Sequence, residues 1–298
     1  MSTNNLPKEL TNIDPQKIKA LALDLDGTTL LPDTSLGERT AAVLKKLISG
    51  GMQIILATGR SSGSAERYCT ALGAEGPMVF FNGAEVVDVP SGKLLNVNLV
   101  GKDVMDFCID ISRSMDIFFQ FYLPAGISPD TGEYDPQKKR ETLIIEKPCL
   151  DADLYQKHTR VTAVEKDLKK IIALPNLKGC LKGMFITDSS MHNEIREKLN
   201  ERFGNSINII RSSSTLLEIL NGGVSKGEGL KIAMRHRGLK PEEVMAFGDE
   251  ENDLSMFEAV GFSAAPISAR EIIREKAGVI FGSNAEEGLA IYLEKTFL

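Results

Sequence analysis

The chain has 298 residues, of which 42% are hydrophobic, 26% charged and 6% aromatic, which excludes a disordered, collagen-like or low-complexity protein. This length predicts one large or two modest domains. The 35 Lys and Arg residues against 41 Asp and Glu give a formal net charge of −6, which argues against a dedicated nucleic-acid-binding protein.

The N-terminal segment and the cysteines indicate a protein of a reducing compartment. Residues 1–17 are polar and lack the apolar stretch of a secretory signal, and no apolar run approaches the roughly 20 residues of a membrane span. The four cysteines form no CxxC pair and the three histidines stand alone, so the sequence offers no zinc ligand set. We therefore expect a cytoplasmic protein with reduced thiols that acts without a membrane or nucleic acid, as a monomer or homodimer.

Buried strands alternate with helices in the first part of the chain. The predicted elements are strands at 18–23, 52–57 and 78–81, a helix from a Ser35 cap to residue 49, and a helix at 61–72. This order is typical of a parallel sheet with right-handed crossovers.

The pattern changes after residue 85, where short strands alternate with charged helices. The predicted elements are strands at 93–99, 117–123, 142–146, 181–187, 207–211 and 215–220, and helices at 102–115, 151–173 and 191–203. The first pattern then resumes, with helices at 226–236, 252–259, 268–276 and from 285, and strands at 244–247, 262–265 and 278–281. We therefore predict an α/β core of residues 1–85 and 221–298, interrupted by an inserted α+β domain of residues 86–220.

Polar residues collect where the predicted core strands end, which is where ligands bind in open α/β sheets. They are Asp24, Asp26 and Gly27 after the first strand, Thr58 and Arg60 after the second, Asn82 and Gly83 after the third, and Asp249, Asn252 and Asp253 after the strand at 244–247. Lys226 stands at the start of a helix after a glycine pair. Each motif alone has an ordinary explanation, such as a turn or a solvated helix start, but their occurrence together in this order favours a functional site.

These residue types predict phosphoryl chemistry around a cation. Carboxylates that meet in one crevice stay ionised together only around a cation, and oxygen ligands without His or Cys favour Mg²⁺. A lysine, a threonine hydroxyl and backbone N–H groups suit a phosphoryl group, whose charge must be spread during transfer. The predicted partner is a small phosphorylated metabolite.

The motifs together resemble the haloacid dehalogenase (HAD) superfamily, and within it the Cof-type, sugar-phosphatase-like group. The matching residues are Asp24-Leu25-Asp26-Gly27-Thr28, Thr58 in ATGR, Asn82 in FFNGA, Lys226 in GGVSKGEGL, and Gly248-Asp249 through Asn252-Asp253. The resemblance implies a Rossmann-like, doubly wound parallel core with an inserted α/β cap that sets substrate specificity. One segment departs from the group, because Ala264–Ala269 stands where Cof-type proteins carry a Gly-Asn-Ala-like stretch, and this weakens any transfer of substrate preference.

The resemblance also implies a role for each residue. Asp24 is the nucleophile that forms an aspartyl-phosphate, and Asp26 protonates the leaving oxygen and then activates water. Thr58 binds a phosphoryl oxygen, and Lys226 neutralises charge on the nucleophile and the phosphate. The Mg²⁺ ligands are Asp24, the backbone carbonyl of Asp26 and Asp249, and Asp253 either is a further ligand or lies just outside the ligands and orients them. The residues assigned to substrate binding are Gly27, Arg60, Asn82, Gly83 and Asn252.

The leading hypothesis is therefore a Mg²⁺-dependent phosphatase acting on a sugar phosphate. A phosphotransferase or phosphomutase on the same fold stays open, because the sequence does not say whether water or a sugar hydroxyl accepts the phosphoryl group. A non-catalytic phosphate-binding regulatory protein is a third hypothesis, although binding alone needs no acid/base at Asp26. A glycosyltransferase with a DxD metal site would leave Lys226 and the acidic segment at 249–253 unexplained.

Overall fold

The computed structural model describes residues 14–298, so residues 1–13 of the polar N-terminal segment lie outside the described residues. Within 14–298 the strands are β1 (Ala20–Leu23), β2 (Gln53–Leu56), β3 (Gly76–Phe80), β4 (Glu85–Val89), β5 (Lys93–Val97), β6 (Phe118–Leu123), β7 (Thr142–Ile145), β8 (Ala163–Glu165), β9 (Lys182–Ile186), β10 (Ile207–Arg211), β11 (Leu216–Asn221), β12 (Val244–Phe247), β13 (Phe262–Pro266) and β14 (Val279–Phe281). The helices are α1 (Glu38–Ser49), α2 (Ser62–Leu72), α3 (Lys102–Met115), α4 (Leu150–Thr159), α5 (Leu168–Ala173), α6 (His192–Phe203), α7 (Lys226–Arg237), α8 (Leu254–Ala259), α9 (Glu271–Lys276) and α10 (Gly288–Phe297). None of the helices in this part of the chain has the length and apolar character that crossing a membrane requires.

The described residues divide into two compact units. The first contains the described part of Met1–Gly59 together with Ala65–Asn96 and Ser225–Leu298, and the second contains Arg60–Ser64 and Val97–Val224. The long segment of the second unit begins at residue 97, whereas we predicted an insertion from residue 86. That the second unit acts as a cap stays a prediction.

The main sheet of the first unit is parallel, with the strand order β14-β13-β12-β1-β2. Ala20 and Ala22 of β1 face an apolar cluster that includes Leu230 of α7. The alternate residues, Leu21 and Leu23, point to the other face and are also fully buried. A central strand that is covered on both faces has a continuous apolar sequence, and the predicted parallel α/β core is confirmed.

The strand predicted at 78–81 is not the third strand of this sheet. It corresponds to β3, which pairs antiparallel with β4 in a separate sheet that β5 completes. One parallel bridge, between Ala57 and Val79, follows the end of β2. The connection from β3 to β4 has positive φ at Phe81 (50°), Asn82 (56°) and Gly83 (99°). Asn-Gly between two apolar runs is a sequence signal of a β-hairpin, and our prediction missed β4 because it treated Asn82 only as the end of a parallel strand.

Two helix predictions were wrong in detail. The helix predicted from a Ser35 cap begins at Glu38, because the Ser35 hydroxyl donates to a neighbouring aspartate instead of capping the helix. The helical region predicted at 151–173 is interrupted by β8, which pairs parallel with β7. Arg160 has a left-handed φ of 58° and ends α4, and the β-branched residues in Val161-Thr162-Ala163-Val164 favour extended backbone.

The second unit is built on one sheet with the order β10-β11-β9-β6-β7-β8. Its strand pairs are antiparallel except for β7 with β8. One face of the sheet packs against α3, α5 and α6 through a cluster that includes Phe119, Phe121 and Phe185. The other face carries the alternate residues of the same strands, and several of these are polar.

We expect the second unit to become less stable as the pH falls, because of the buried side chain of His192. This histidine is the first residue of α6. This side chain is 2% exposed. Burial, followed by the positive charges of Arg211 and Arg196, lowers the pKa of His192, against smaller opposing effects of a backbone hydrogen bond with Thr187 and of the charge of Asp188. The unfolded chain binds a proton here at about pH 6.5. The stabilising contribution of the neutral imidazole is therefore present above that pH and is lost as the pH falls below it.

Urea unfolding of the wild type and the His192→Leu variant at pH 7.5 and pH 5.5 measures this effect. We expect the wild type to lose more stability than the variant over this interval, by at most about 1.4 kcal/mol for one full pH unit. The carboxyl groups are the same in both proteins, so their contribution to the pH dependence of stability cancels in the difference. Equal losses in the two proteins would contradict the assignment to His192.

Candidate active site

Three neighbouring strands of the first unit end at the same edge of the parallel sheet. Leu23, the last residue of β1, lies opposite Leu56 of β2 and Phe247 of β12. The segments that follow these strand ends contain the predicted residues Asp24, Thr58 and Asp249. Because the register aligns all three ends, these segments leave the sheet side by side, as the sequence predicted.

The chain turns sharply after Asp24. Asp26 and Gly27 have φ,ψ values of −78°, 125° and 81°, −15°, which are those of a type II turn with glycine at its left-handed position. A Cβ on Gly27 would lie 2.1 Å from Asp249 Oδ2, so the absence of a side chain also lets Asp249 approach. The side chain of Asp26 is exposed.

Lys226 lies buried between two of the predicted carboxylates. Its Nζ donates to Asp24 Oδ1 and to Asp253 Oδ1, at 2.6 Å in both cases, and its side chain is 2% exposed. Ser225 caps the N-terminus of α7 by accepting from the Glu228 amide, which fixes the start of the helix that carries the lysine. Burial opposes the charge on Lys226, but the two carboxylates outweigh it and raise the pKa of the lysine, which is therefore a cation at neutral pH.

Asp249 is held in place by Thr28. The Thr28 hydroxyl donates to Asp249 Oδ1 at 2.7 Å. Burial and the neighbouring Asp253 raise the pKa of Asp249 to about 7, and the bond from Thr28 opposes this shift. Burial also raises the pKa of Asp24 well above its usual range, with repulsion from the nearby aspartates adding to the effect and Lys226 opposing it.

The three carboxylates fit a hard divalent cation. Asp24, Asp249 and Asp253 each offer an oxygen, and these oxygens lie within 4.8 Å of one another. All three donors are oxygens, as Mg²⁺ prefers, and a cation would offset the burial and the mutual repulsion that raise the pKa values of Asp24 and Asp249. The Asp26 carboxylate is not part of this group.

Both carboxylate oxygens of Asp253 accept hydrogen bonds. Oδ1 accepts from Lys226, and Oδ2 accepts from the backbone amides of Asp249 and Glu250 at 2.9 and 3.0 Å. This side chain therefore fixes both the lysine and the loop that carries Asp249.

The predicted substrate residues Asn82 and Asn252 form a pair. Asn252 Nδ2 donates to Asn82 Oδ1 at 2.9 Å. The backbone N–H of Asn82 donates to the backbone carbonyl of Thr58 at 3.0 Å. Asn82 is fully buried and packs close to Gly59. A Cβ on Gly83 would lie 2.1 Å from the Ser225 carbonyl, so this glycine lets the hairpin approach the start of α7. These contacts connect the segments after β2, β3 and β12 to the helix of Lys226.

Arg60 does not belong to the same compact unit as the other predicted site residues. It clusters with the second unit, where its Nη1 lies 3.4 Å from Ser64 Oγ and its side chain is mostly buried. Its assignment to substrate binding stays a prediction.

Sequence reasoning assigned no role to three hydroxyl residues that hold the site together. Besides Thr28, the Thr29 hydroxyl donates to the Asp24 carbonyl at 2.5 Å. Ser255 Oγ accepts from the Gly227 amide at 3.0 Å and donates to the Asn252 carbonyl at 3.1 Å. Thr28 and Thr29 directly follow the Asp-Gly turn and could have been found there, whereas no sequence signal indicates the contact of Ser255.

Comparison with known proteins shows which proteins this chain resembles. The HMP-PP phosphatase of Serratia proteamaculans is 30% identical over 246 residues, which cover 80% of this chain and 80% of that protein. The chloroplastic endoribonuclease YBEY of Arabidopsis thaliana is 27% identical over 92% of this chain. The matched part is only 46% of the length of that relative. A haloacid dehalogenase-like hydrolase from Bacteroides thetaiotaomicron has a similar structure, with a TM-score of 0.81 at 24% identity over 94% of this chain and 100% of the other.

The family match extends through both units. The family model of haloacid dehalogenase-like hydrolases matches residues 21–293, which include every predicted site residue. The cluster of Asp24, Lys226, Asp249 and Asp253 consists of residues that the motifs singled out. The chain therefore belongs to the family of haloacid dehalogenase-like hydrolases.

Proposed function

We propose that this protein is a Mg²⁺-dependent phosphatase that hydrolyses a small phosphorylated metabolite, a sugar phosphate, through an aspartyl-phosphate on Asp24. The pairing of Asp24 with the buried Lys226, beside two further carboxylates, is the observation that carries the proposal. A site that only bound phosphate would not gather carboxylates, because they repel the anion. A site that transfers a phosphoryl group needs a carboxylate nucleophile together with cations that offset its charge.

The proposed Mg²⁺ ligands are Asp24, Asp249 and the backbone carbonyl of Asp26. Asp253, whose oxygens accept from Lys226 and two amides, orients the other groups and is the remaining candidate ligand. When bound, the ion offsets the negative charges of the nucleophile and the phosphate as they approach each other.

Two chemical steps account for hydrolysis. In the first, an Asp24 carboxylate oxygen forms a bond to phosphorus, the bond from phosphorus to the leaving oxygen breaks, and Asp26 gives its proton to that oxygen. In the second, Asp26 takes a proton from water, the water oxygen bonds to phosphorus, and the bond to Asp24 breaks to release inorganic phosphate. The exposed side chain of Asp26 is accessible to both the leaving group and water. Lys226 and Thr58 spread the phosphoryl charge in both steps.

A group of buried polar side chains in the second unit supports a sugar as the leaving group. On the sheet face opposite α3, α5 and α6, Lys182 pairs with Glu218 at 2.8 Å. The hydroxyls of Tyr122 and Tyr155 lie 3.0 Å apart. Gln120 is fully buried, and neither atom of its amide has a hydrogen-bond partner among residues 14–298. A buried amide without partners is costly, so a ligand with hydroxyl groups would satisfy it.

The charge of this group also bears on the substrate. Glu218 neutralises Lys182, so the pair offers no surplus positive charge for a second phosphate. Hydroxyl groups that both donate and accept suit an amide, two phenols and an ion pair. We therefore propose that these residues contact the sugar part of the substrate, with the second unit acting as the specificity cap.

The test of the reaction is release of inorganic phosphate from a panel of sugar phosphates, HMP-PP and an aryl phosphate, with Mg²⁺ and with EDTA. We expect release that requires Mg²⁺ and is fastest with a sugar phosphate. If the product were an isomerised sugar phosphate and no inorganic phosphate were released, the protein would be a phosphomutase and not a phosphatase. If the folded protein transformed none of these compounds, the proposal that it is a phosphatase would be contradicted.

A Gln120→Leu variant tests the proposed sugar contact. We expect its KM for the best sugar phosphate to rise about tenfold, because one hydrogen-bonded group is worth about 1.4 kcal/mol, while hydrolysis of the aryl phosphate is unchanged. Met184→Leu is the matched control, since Met184 lies opposite Gln120 on the same buried face. An equal effect of both variants, or an equal effect on both substrates, would contradict the contact.

A further inference from the structure

The segment that departs from the Cof-type pattern, Ala264–Ala269, has a structural role beside the carboxylates. The amide of Gly248 donates to the carbonyl of Ala264 at 3.2 Å, where β13 runs beside β12. After the segment, the amide of Arg270 donates to the carbonyl of Asp249 at 3.3 Å. The first residue of the segment and the residue that follows it therefore hold Gly248 and Asp249 between two backbone hydrogen bonds.

The side chain of Arg270 binds the two residues that follow Asp249. Its Nη1 bonds the Glu251 carboxylate and lies 3.6 Å from Glu250 Oε2. The side chain is 52% exposed, so its loss removes no core packing. Arg270 thus contacts three consecutive residues of the loop, through its backbone at Asp249 and through its side chain at the two glutamates.

The carboxylate of Asp249 has a separate support. Thr28 holds Oδ1 from the turn after β1, and Gly27 leaves room for Oδ2. The backbone of Asp249 is held by the Arg270 amide and by Asp253 Oδ2, so the Arg270 side chain adds the positions of the two glutamates that follow. Arg270 is the cation that ties the loop at residues 249–251 to the start of α9.

We propose that Arg270 is a positioning residue for the cation site, acting through the loop that carries Asp249. The proposal rests on the proposed binding of Mg²⁺ by Asp24 and Asp249. Charge alone predicts the opposite effect, because removing a positive group beside a cation site strengthens cation binding. The sign of the change in metal affinity therefore separates positioning from simple electrostatics.

The experiment is a titration of the purified protein with Mn²⁺ as the probe, followed by electron paramagnetic resonance of the free ion, so that the readout does not depend on activity. We expect Arg270→Ala to weaken Mn²⁺ binding about three- to fivefold, which corresponds to the upper range of exposed ion pairs. Arg270→Lys keeps the charge without the planar fork and restores part of the affinity. The phosphatase kcat at saturating Mg²⁺ stays unchanged, while the Mg²⁺ concentration for half-maximal rate rises by the same factor.

Arg274→Ala is the matched control. Arg274 lies one turn further along α9 and carries the same charge, but it donates to the Ile267 carbonyl at 3.3 Å instead of binding the acidic loop. We expect this control to bind Mn²⁺ as tightly as the wild type or more tightly. Unchanged or tighter binding by Arg270→Ala, or equal weakening in both variants, would overturn the proposal. Wild-type protein that binds no Mn²⁺ would overturn the metal site itself, which is a distinct result.

Discussion

The Asp24→Asn variant is expected to lose phosphate release by at least about four orders of magnitude, because an amide cannot replace the carboxylate as the nucleophile. Its fold should persist. Asp24 is 4% exposed, and burial together with repulsion from the nearby aspartates raises its pKa, so the ionised form is costly in the metal-free protein. Asparagine has nearly the same shape and removes one negative charge, while Lys226 keeps its bond to Asp253.

Phosphate release with Mg²⁺ measures the expected loss of activity. Urea unfolding in EDTA at pH 7.5 measures the expected retention of the fold. The free energy of unfolding of the variant should equal or exceed that of the wild type. Asp33→Asn is the control, since this carboxylate follows the same turn but is exposed and bonds Ser35. If the Asp24→Asn variant kept more than about one per cent of the Mg²⁺-dependent rate, another group would have to be the nucleophile.

Strand periodicity predicted the position of the site because a parallel register leaves little freedom. The strand predicted at 244–247 is β12 without change, and it lies beside β1 with Phe247 opposite Leu23. Any residue that directly follows these two strands must lie at the same edge of the sheet. The meeting of Asp24 and Asp249 therefore follows from two apolar runs and the turns that end them.

The hairpin at Asn82 shows where the same reasoning fails. An apolar run of four or five residues has the same pattern whether its partner is parallel or antiparallel, so the run itself did not distinguish them. The Asn-Gly turn carried the missing information, and its positive φ values return the chain to β4. Asn82 still lies beside the site through its bond to the Thr58 carbonyl, although the strand before it belongs to another sheet.

Contacts between distant side chains could not be predicted from the chain. A lysine at a helix start is usually solvated, and only the resemblance of its motif implied that Lys226 lies beside Asp24, whereas its bond to Asp253 had no signal in the sequence. The bonds of Thr28 to Asp249 and of Arg270 to the acidic loop depend on how separate turns pack together. Such contacts have no periodicity, so a single sequence carries no pattern that would reveal them.

Lys226→Met should reduce both activity and stability, because it leaves two buried carboxylates without their cation. Nζ bonds Asp24 and Asp253 at 2.6 Å each, and all three side chains are nearly inaccessible to solvent. Removing one partner of a buried ion pair typically costs about 3–5 kcal/mol, and removing a charge that stabilises the transition state costs about 10²–10³ in kcat. We therefore expect losses of this size in urea unfolding at pH 7.5 in EDTA and in phosphate release with Mg²⁺.

The double variant Lys226→Met with Asp253→Asn shows whether the cause is repulsion between carboxylates or loss of packing. Methionine fills much of the volume of the lysine stem, so removing the second carboxylate should recover a large part of the lost stability. Activity should stay low in the double variant, because the nucleophile and the phosphate still lack the cation. If the double variant were as unstable as Lys226→Met alone, the two carboxylates would not be the source of the instability, and the buried ion group would not be what holds α7 to the ends of β1 and β12.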